Sequence, residues 1–421
     1  MPSTAVSERW TARRADLATE DFFALAGERP FALLYGDGEG ERWILHGEDP
    51  LCILDGPEPA SFAFERTGDI PPILPDFIGF AGYELGARLE PLLAAPAPRP
   101  FPFPDVHFAL YRSVRLYDRW EGLLYEAERS AARTQEAGCH ALRPGSFSAR
   151  KIADSDTATS YAAKVARIRE EIAQGNVYQV NLTRQEHWAF EGDLTHFARR
   201  LYAVNPAPFS ALIAGEGFSV VSSSPERFLR IQDGRVVTRP IKGTAPRGAT
   251  PEEDERLARE LLASPKNRSE LAMITDLLRN DLTRICRVPS VRVEDFPTLE
   301  TYANVHHLVS TVSGEVREGL SLEALLRGVF PGGSITGCPK LAAMHLIREL
   351  ESLPRLVYTG ALGWFRHDLR QLDFNIPIRT AWASREELFF GVGGGIVWDS
   401  DPHDEYLETV HKGRSIVQCL S

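Results

Sequence analysis

With 421 residues, 43% of them hydrophobic and 25% charged, the chain is long enough to bury a large core and too long for one small compact domain. Its 47 basic and 58 acidic residues leave a formal charge of -11, which opposes nonspecific nucleic-acid binding and obliges any anionic substrate to find local Arg, Lys or metal charge. Five cysteines (Cys52, Cys139, Cys286, Cys338, Cys419) without CxxC spacing exclude a zinc cluster or disulfide framework, and with no apolar signal segment and no run approaching a membrane span the expectation is a soluble, cytoplasmic protein.

Apolar runs at 31–34, 43–45 and 108–116, separated by Gly-rich turns, predict strands of a sheet. Between the first two, Gly36-Asp37-Gly38-Glu39-Gly40-Glu41 lacks the final glycine of GxGxxG and does not predict a dinucleotide site. Two stretches punctuate the chain, one rich in Pro and Ala at 91–104 and one polar at 143–157. The second is the better boundary and separates an N-terminal part, residues 1–150, from a second part, residues 151–421. Beyond it, Tyr161, Val165, Ile168 and Ile172 form the apolar stripe of a helix that packs on a core.

Strand-like runs follow at 218–221 and 235–241. The first leads into Ser222-Ser223-Ser224-Pro225-Glu226 and the second ends in Pro240-Ile241-Lys242-Gly243-Thr244. A lysine held between such a proline and glycine can be aimed inward, where desolvation lowers its pKa and frees a nucleophilic amine; a solvated loop lysine is the plain alternative. Glu226 places a carboxylic acid in the same stretch of chain, and an amine beside an acid suggests covalent chemistry.

Thr250-Pro251, Ser264-Pro265 and Asp401-Pro402 each set a capping side chain before a proline at the first helical position. Glu270 then lies in the first turns of a helix at 264–285, while Glu405 and Glu408 share one face of the helix opened by Asp401. Three hard oxygen donors suit Mg²⁺, although each glutamate taken singly reads as solvated helix surface. Lys412, one turn after Glu408, can meet a substrate carboxylate or close an i,i+4 bridge with Glu408.

His307, in Val305-His306-His307-Leu308-Val309, is an acid/base candidate or a hydrogen-bonded core histidine. The loop Pro331-Gly332-Gly333-Ser334-Ile335-Thr336-Gly337-Cys338-Pro339-Lys340 runs into a helical segment at 341–351. Cys338 stands where a P-loop needs its lysine, so nucleotide phosphate is not expected; the loop N–H groups and the helix start can hold a carboxylate, or form a plain loop and cap. Further strands are predicted at 362–365, 375–383 and 388–392, and Arg379 interrupts the middle one with a guanidinium fork that suits a carboxylate. Clustered strands with interspersed helices predict an α+β fold, largely antiparallel.

Six ordered motifs give residues 161–416 their likeness to known proteins: Gly175-Asn176-Val177-Tyr178-Gln179-Val180-Asn181-Leu182, 222–226, 240–244, 269–282, 331–340, and Gly393-Gly394-Gly395-Ile396 through Glu405, Glu408 and Lys412. Together they resemble the chorismate-utilising enzymes, the family of anthranilate, isochorismate, salicylate and aminodeoxychorismate synthases. The N-terminal third resembles it more loosely, through Gly79-Phe80-Ala81-Gly82-Tyr83-Glu84-Leu85-Gly86. The resemblance implies a large two-sheet antiparallel β sandwich with peripheral helices, of the anthranilate synthase component I type, whose N- and C-terminal parts interleave.

It also implies a chemistry. Members that add water typically carry lysine where this chain has Gln179, and anthranilate synthases alanine where it has Lys242, so both positions favour amination of chorismate at C4, with anthranilate formation as the alternative. On that pattern Lys242 attacks C2 while Glu226 protonates the departing C4 hydroxyl, and ammonia then attacks C4 and expels the lysine. Mg²⁺ held by Glu270 and Glu408, with Glu405 in its shell, would bind the ring carboxylate. Tyr358 and Arg379, helped by Gly394 and Gly395, match positions that hold the enolpyruvyl carboxylate, and His307 matches a histidine near the ring carboxylate. Ser334, Thr244, Gln179 and Lys412 complete the implied substrate-binding set. Chorismate is a dianion, and Mg²⁺, Arg379, Lys412 and the loop N–H groups answer the positive charge it requires.

Two departures from the family pattern stand out. Leu33-Leu34-Tyr35 is followed by Gly36 where tryptophan-binding members have serine, which argues against tryptophan binding, and Cys338 replaces a small apolar residue without a redox role. No glutaminase domain is expected within the chain, so ammonia is expected from a separate glutamine amidotransferase subunit. Nor is a fused lyase expected, which makes 4-amino-4-deoxychorismate, on the route to 4-aminobenzoate and folate, the implied product.

Overall fold

The computed structural model describes residues 4–26, 29–36, 42–57, 62–93, 98–131, 145–301 and 305–421. Most of the glycine run at 36–41, Cys139, part of the Pro/Ala-rich stretch and the first residues of the polar stretch at 143–157 lie outside them.

Before residue 150 the chain forms β1 (Thr4–Arg14), α1 (Thr19–Phe23), β2 (Phe31–Tyr35), β3 (Trp43–Leu54), β4 (Phe62–Gly68), β5 (Phe77–Ala81), α2 (Leu85–Leu89), β6 (Val106–Asp118) and β7 (Leu123–Ala131), and it enters β8 (Phe147–Asp154). Next come α3 (Ala158–Ala173), β9 (Gln179–Gly192), α4 (Leu194–Val204), β10 (Phe209–Gly215), β11 (Phe218–Ser224), β12 (Arg227–Gln232), β13 (Arg235–Thr238), β14 (Ile241–Pro246), α5 (Pro251–Ala263) and α6 (Pro265–Thr283). The last stretch holds β15 (Arg292–Thr301), β16 (Val305–Glu315), α7 (Leu322–Val329), β17 (Gly337–Cys338), α8 (Lys340–Leu350), β18 (Ala361–Phe365), β19 (Gln371–Asn375), β20 (Thr380–Ser384), β21 (Glu387–Ile396) and α9 (Pro402–Leu420).

All these strands join one hydrogen-bonded network that divides at β6. One edge of β6 pairs with β3, and its other edge pairs first with β5 and then with β7. From β3 an antiparallel sheet runs through β2, β10, β11, β20 and β21 to β9, whose other partners are β8 and β17. From β5 a second runs through β18, β19, β12 and β13 to β16, which also pairs with β14 and β15. Among the described strands the β1–β4 pair is parallel and the others are antiparallel. Because β2 pairs with β10 and β5 with β18, segments from both ends of the chain alternate within each sheet.

Period-two alternation decides which face is interior. On β10, Ala211 and Ile213 point between the sheets, where they meet Ile78 and Phe80 of β5 and Leu362 and Trp364 of β18. Their neighbours Leu212 and Ala214 point the other way, onto Phe197 and Leu201 of α4 and Ile416 of α9. The outer face of the second sheet (Leu229, Ile231, Leu372, Phe374) lies under α3, α7 and α8, and the predicted stripe of Tyr161, Val165 and Ile168 is buried in this cluster, with Ile172 packed at its margin. Each such side chain contributes about 1.5–3 kcal/mol on burial, so helices and sheets stabilise one another layer by layer.

The three predicted helix starts are present with their caps: Thr250 accepts from Glu253 N–H, Ser264 from Asn267 N–H, and Asp401 from His403 and Asp404 N–H. Two predicted strands are corrected. The run at 375–383 is broken between β19 and β20, because Pro377 has no N–H for a ladder and Arg379 takes a left-handed conformation with φ of 50°. The run at 235–241 divides at Arg239-Pro240 for the same reason of a missing donor. No helix among the described residues is long and apolar enough to cross a membrane.

Candidate active site

Two chain crossings between the sheets lie side by side and carry the first two candidate residues. The chain leaves the first sheet at the end of β11, passes Pro225-Glu226 and enters the second sheet at β12; it returns from β19 to β20 through residues 376–379. Ile376 N–H donates to the Glu226 carbonyl at 2.9 Å, Ser223 N–H donates to the Arg379 carbonyl at 3.1 Å, and Ser224 Oγ donates to the Ile376 carbonyl. The buried serines at 222–224 therefore zip the crossings together, which small hydroxyl side chains permit and larger ones would prevent. Among the described residues the Arg379 side chain makes one long hydrogen bond, 3.4 Å to Asn205 Oδ1, and burial disfavours its charge, an arrangement that suits an incoming carboxylate.

The Glu226 side chain accepts a hydrogen bond at 2.7 Å from Ser334 Oγ. Burial pushes its carboxyl above the ordinary range, against the pull of that hydrogen bond and of the charges on Lys242 and Lys412. Ser334 lies in a 3₁₀ turn, Gly333–Ile335, and the loop beyond it is held on β9 by the short β17 pairing. Gly337 has φ of 147°, and a Cβ there would sit 2.2 Å from the Gln179 carbonyl, so only glycine allows this approach. At the far end of the loop Lys340 Nζ donates to Asp281 Oδ2 at 2.7 Å and to the Val329 carbonyl at 3.0 Å, so this lysine anchors the loop.

Lys242 opens β14 inside a break of its register with β16, between Ile241 and Thr244, and Gly243 there has φ of 81°. Such a bulge re-aims the side chain that precedes it. Lys242 forms no hydrogen bond or ion pair among the described residues, yet it feels Glu226 first and then Glu270, Lys412 and Glu408. Burial dominates and lowers its pKa, which favours the free amine. Just beyond the bulge, Thr244 Oγ1 and His307 Nδ1 share a 2.9 Å hydrogen bond across the ladder, although Thr244 itself is exposed. Burial lowers the His307 pKa, with a hydrogen bond to the Gly243 backbone opposing, which favours the neutral imidazole.

The glycines of β21 form the floor. A Cβ on Gly394 would lie 3.1 Å from Glu405 Oε2, 3.5 Å from Glu408 Oε1 and 3.9 Å from Lys412 Nζ; one on Gly395 would lie 2.6 Å from Gln179 Nε2 and 3.7 Å from Lys242 Nζ. Adjacent glycines thus bring α9 and β14 within reach of one strand, and any side chain there would fill the space. The Tyr358 ring lies against Gly391 on the same strand, and burial pushes its phenol up to about 12.

Lys412 closes the i,i+4 bridge its spacing allows, pairing with Glu408 at 2.5 Å, and also donates to the Gly393 carbonyl at 3.0 Å. Among the described residues no group of three or more His, Cys, Asp or Glu is gathered closely enough to cage a metal ion. The donor chemistry nevertheless fits a hard cation. Glu405 is half-buried, and burial together with the Glu408 charge raises its pKa, a repulsion that a divalent ion would relieve.

The candidate residues are therefore brought together, apart from the loose carboxylate set. Sequence reasoning missed Ser224, Asn205 and Ser400, which hold the crossing, Arg379 and Glu405; Ser400 Oγ donates to Glu405 Oε1 at 2.6 Å. Ser224 lay inside the 222–226 motif and Ser400 next to the Asp401-Pro402 helix start, whereas Asn205 had no local signal. A groove of about 590 Å³ behind the loop, lined by Tyr178, Arg284, Cys338 and Lys340, contains neither Glu226 nor Lys242 and is distinct from the site.

Residues 30–418 match the chorismate binding enzyme family. The chain is 34% identical to aminodeoxychorismate synthase component 1 of Bacillus subtilis, over 94% of this chain and 89% of that protein. It is 36% identical to anthranilate synthase component 1 of Cereibacter sphaeroides, over 85% and 76% respectively, so identity alone does not separate the two activities. The fold is shared with anthranilate synthase component I from Streptococcus pneumoniae, at a TM-score of 0.71 and 24% identity, covering 97% of this chain and 92% of that one.

Proposed function

The chain belongs to the chorismate binding enzyme family, and from that premise we propose that it aminates chorismate at C4 to give 4-amino-4-deoxychorismate, as aminodeoxychorismate synthase component 1 does. The observation that carries this reading is Lys242, whose amine burial frees in the field of the half-buried acid Glu226, with Gln179 rather than a basic residue beside it over Gly395. An anthranilate synthase has no use for a nucleophile at that point, and an enzyme adding water needs a base in place of Gln179.

In the proposed sequence the Lys242 Nζ lone pair forms a bond to C2, the two ring double bonds migrate, and the C4–O bond breaks with Glu226 delivering the proton that lets hydroxide leave as water. Ammonia then bonds to C4, the double bonds migrate back, and the C2–N bond breaks to restore the lysine. Two displacements return the original stereochemistry. Arg379 and Tyr358, with Gly394 and Gly395 as open floor, are assigned to the enolpyruvyl carboxylate. Thr244, His307 and Lys412 are assigned to the ring carboxylate, and Ser334 to orienting Glu226.

Glu270 and Glu408, with Glu405 in support, would hold Mg²⁺, which when bound supplies positive charge to the ring carboxylate. Glu270→Ala and Glu408→Ala are each expected to raise the Mg²⁺ concentration for half-maximal rate by at least about tenfold. A Mg²⁺ titration unchanged in both variants would remove this ligand assignment. Ammonia is assigned to a separate glutamine amidotransferase subunit, in keeping with the component numbering of the relatives, and the reaction to the cytoplasm, where chorismate chemistry needs no oxidised thiols.

The test is product analysis. Purified protein is incubated with chorismate, Mg²⁺ and an ammonium salt, with and without aminodeoxychorismate lyase. The expected result is 4-aminobenzoate only when lyase is present. Anthranilate formed without lyase would instead place the chain with the anthranilate synthases.

A further inference from the structure

We propose that Arg355 is a positioning residue for the catalytic acid: it ties the loop that carries Ser334 to the strand that carries Gln179, and Glu84 of the N-terminal part holds Arg355 in place. This rests on the reading of Glu226 as the acid.

The Arg355 side chain is buried, and its whole fork is engaged. Nε and Nη2 grip Glu351 at 2.8 and 2.6 Å, Nη1 donates to the Ile335 carbonyl at 2.9 Å, and Nη2 donates to the Asn181 carbonyl at 2.7 Å. Ile335 follows Ser334 in the loop, and Asn181 lies two residues after Gln179 on β9. The same two segments are stitched directly, since Asn181 N–H donates to the Thr336 carbonyl at 2.8 Å and Asn181 Nδ2 to the Ser334 carbonyl at 3.4 Å. Glu351 extends the clamp by accepting from Thr183 N–H at 2.9 Å. Ser334 Oγ then reaches Glu226 Oε1, so only Ile335 and Ser334 separate the guanidinium from the acid.

The anchor continues into the N-terminal third. Glu84 Oε1 accepts from Arg355 N–H at 2.8 Å, Oε2 accepts from Leu356 N–H at 2.9 Å, and the Tyr83 ring lies 4.6 Å from the guanidinium. This gives Tyr83 and Glu84 of the Gly79–Gly86 motif a place in the same clamp. A buried ion pair is weak evidence for added stability, since desolvation offsets its attraction; what the planar fork supplies here is fixed geometry toward several acceptors at once.

The test compares Arg355→Lys, Glu84→Gln and Ser334→Ala with wild type, following chorismate consumption across pH. Arg355→Lys is expected to lower kcat about a hundredfold while the KM for chorismate stays within about threefold. The limb of the kcat–pH profile that Glu226→Gln abolishes should move to higher pH, because the donor that restrains the acid is loosened. Ser334→Ala should move the same limb the same way, and adding Arg355→Lys to it should move the limb no further. Glu84→Gln should produce a smaller shift in the same direction, and it carries the test if Arg355→Lys fails to fold. A limb unmoved in every folded variant, with kcat scaled equally at all pH values, would mean a purely structural role and would overturn the proposal. If wild type released anthranilate, the proposed amination would fail, while the limb shift would still decide the role of Arg355.

Discussion

Replacing Lys242 by alanine is expected to abolish formation of 4-amino-4-deoxychorismate while leaving the fold and chorismate binding in place. The loss should be on the order of a thousandfold or more, because removing an activated nucleophile deletes the covalent step instead of weakening it. The structure separates this from a folding defect. Lys242 makes no hydrogen bond or ion pair among the described residues, and burial already disfavours its charged form, so truncation breaks no hydrogen bond and removes only a charge felt by Glu226. Its position in the bulge depends on Gly243, with φ of 81°, not on the lysine side chain. Thermal unfolding and chorismate titration of Lys242→Ala should match wild type while product formation disappears. Amination at the wild-type rate would eliminate the covalent mechanism.

The second large effect is expected from Glu226→Gln, at about 10²- to 10⁴-fold in kcat, the usual contribution of a positioned general acid. The amide keeps the shape of the carboxylic acid and can still accept from Ser334 Oγ, so chorismate affinity should hold; what it lacks is an acidic proton for the C4 oxygen. Burial is the first cause of both pKa shifts at this pair, upward for Glu226 and downward for Lys242. The sign of each is productive. An acid whose pKa is raised stays protonated to higher pH, and an amine whose pKa is lowered is free from lower pH. From the ordinary values near 4.5 and 10.5, the form with protonated acid and free amine grows about tenfold for each pH unit by which the two ionisations converge. The pair should titrate jointly and give a bell-shaped kcat–pH profile whose limbs belong to the pair. Glu226→Gln should leave only the Lys242 titration, and a bell preserved in that variant would assign the acid to another residue.

Much of the candidate site was legible because its residue types stand in ordered motifs that resemble a known family. Glu226, Lys242 and the α9 glutamates were each located that way, and the helix starts at Thr250, Ser264 and Asp401 were located by caps that act within three residues of chain. Two residues with open readings gain protein partners that only three dimensions reveal. Lys412 both pairs with Glu408 and caps the Gly393 carbonyl, and His307 is hydrogen-bonded on its strand yet lies beside the bulge of Lys242. The predicted strand at 375–383 erred because apolar content outweighed Pro377 and because the left-handed turn of Arg379 serves the return crossing between sheets, which no local pattern announces.

What the sequence determined by itself is therefore the inventory: the α+β class, the helix starts, the amine, the acid, the carboxylates and the glycine strand, since each follows from local propensity or from side-chain chemistry in a recognisable order. What only the tertiary structure decided is who faces whom. Glu84 meets the Arg355 backbone across 271 positions, Ser334 meets Glu226 across 108, and Gly394 and Gly395 bring α9 and β14 to one floor. Those pairings depend on where the chain crosses between sheets and on the register of strands from opposite ends of the chain, and register is set by packing of the whole sandwich, which no window of neighbouring residues contains.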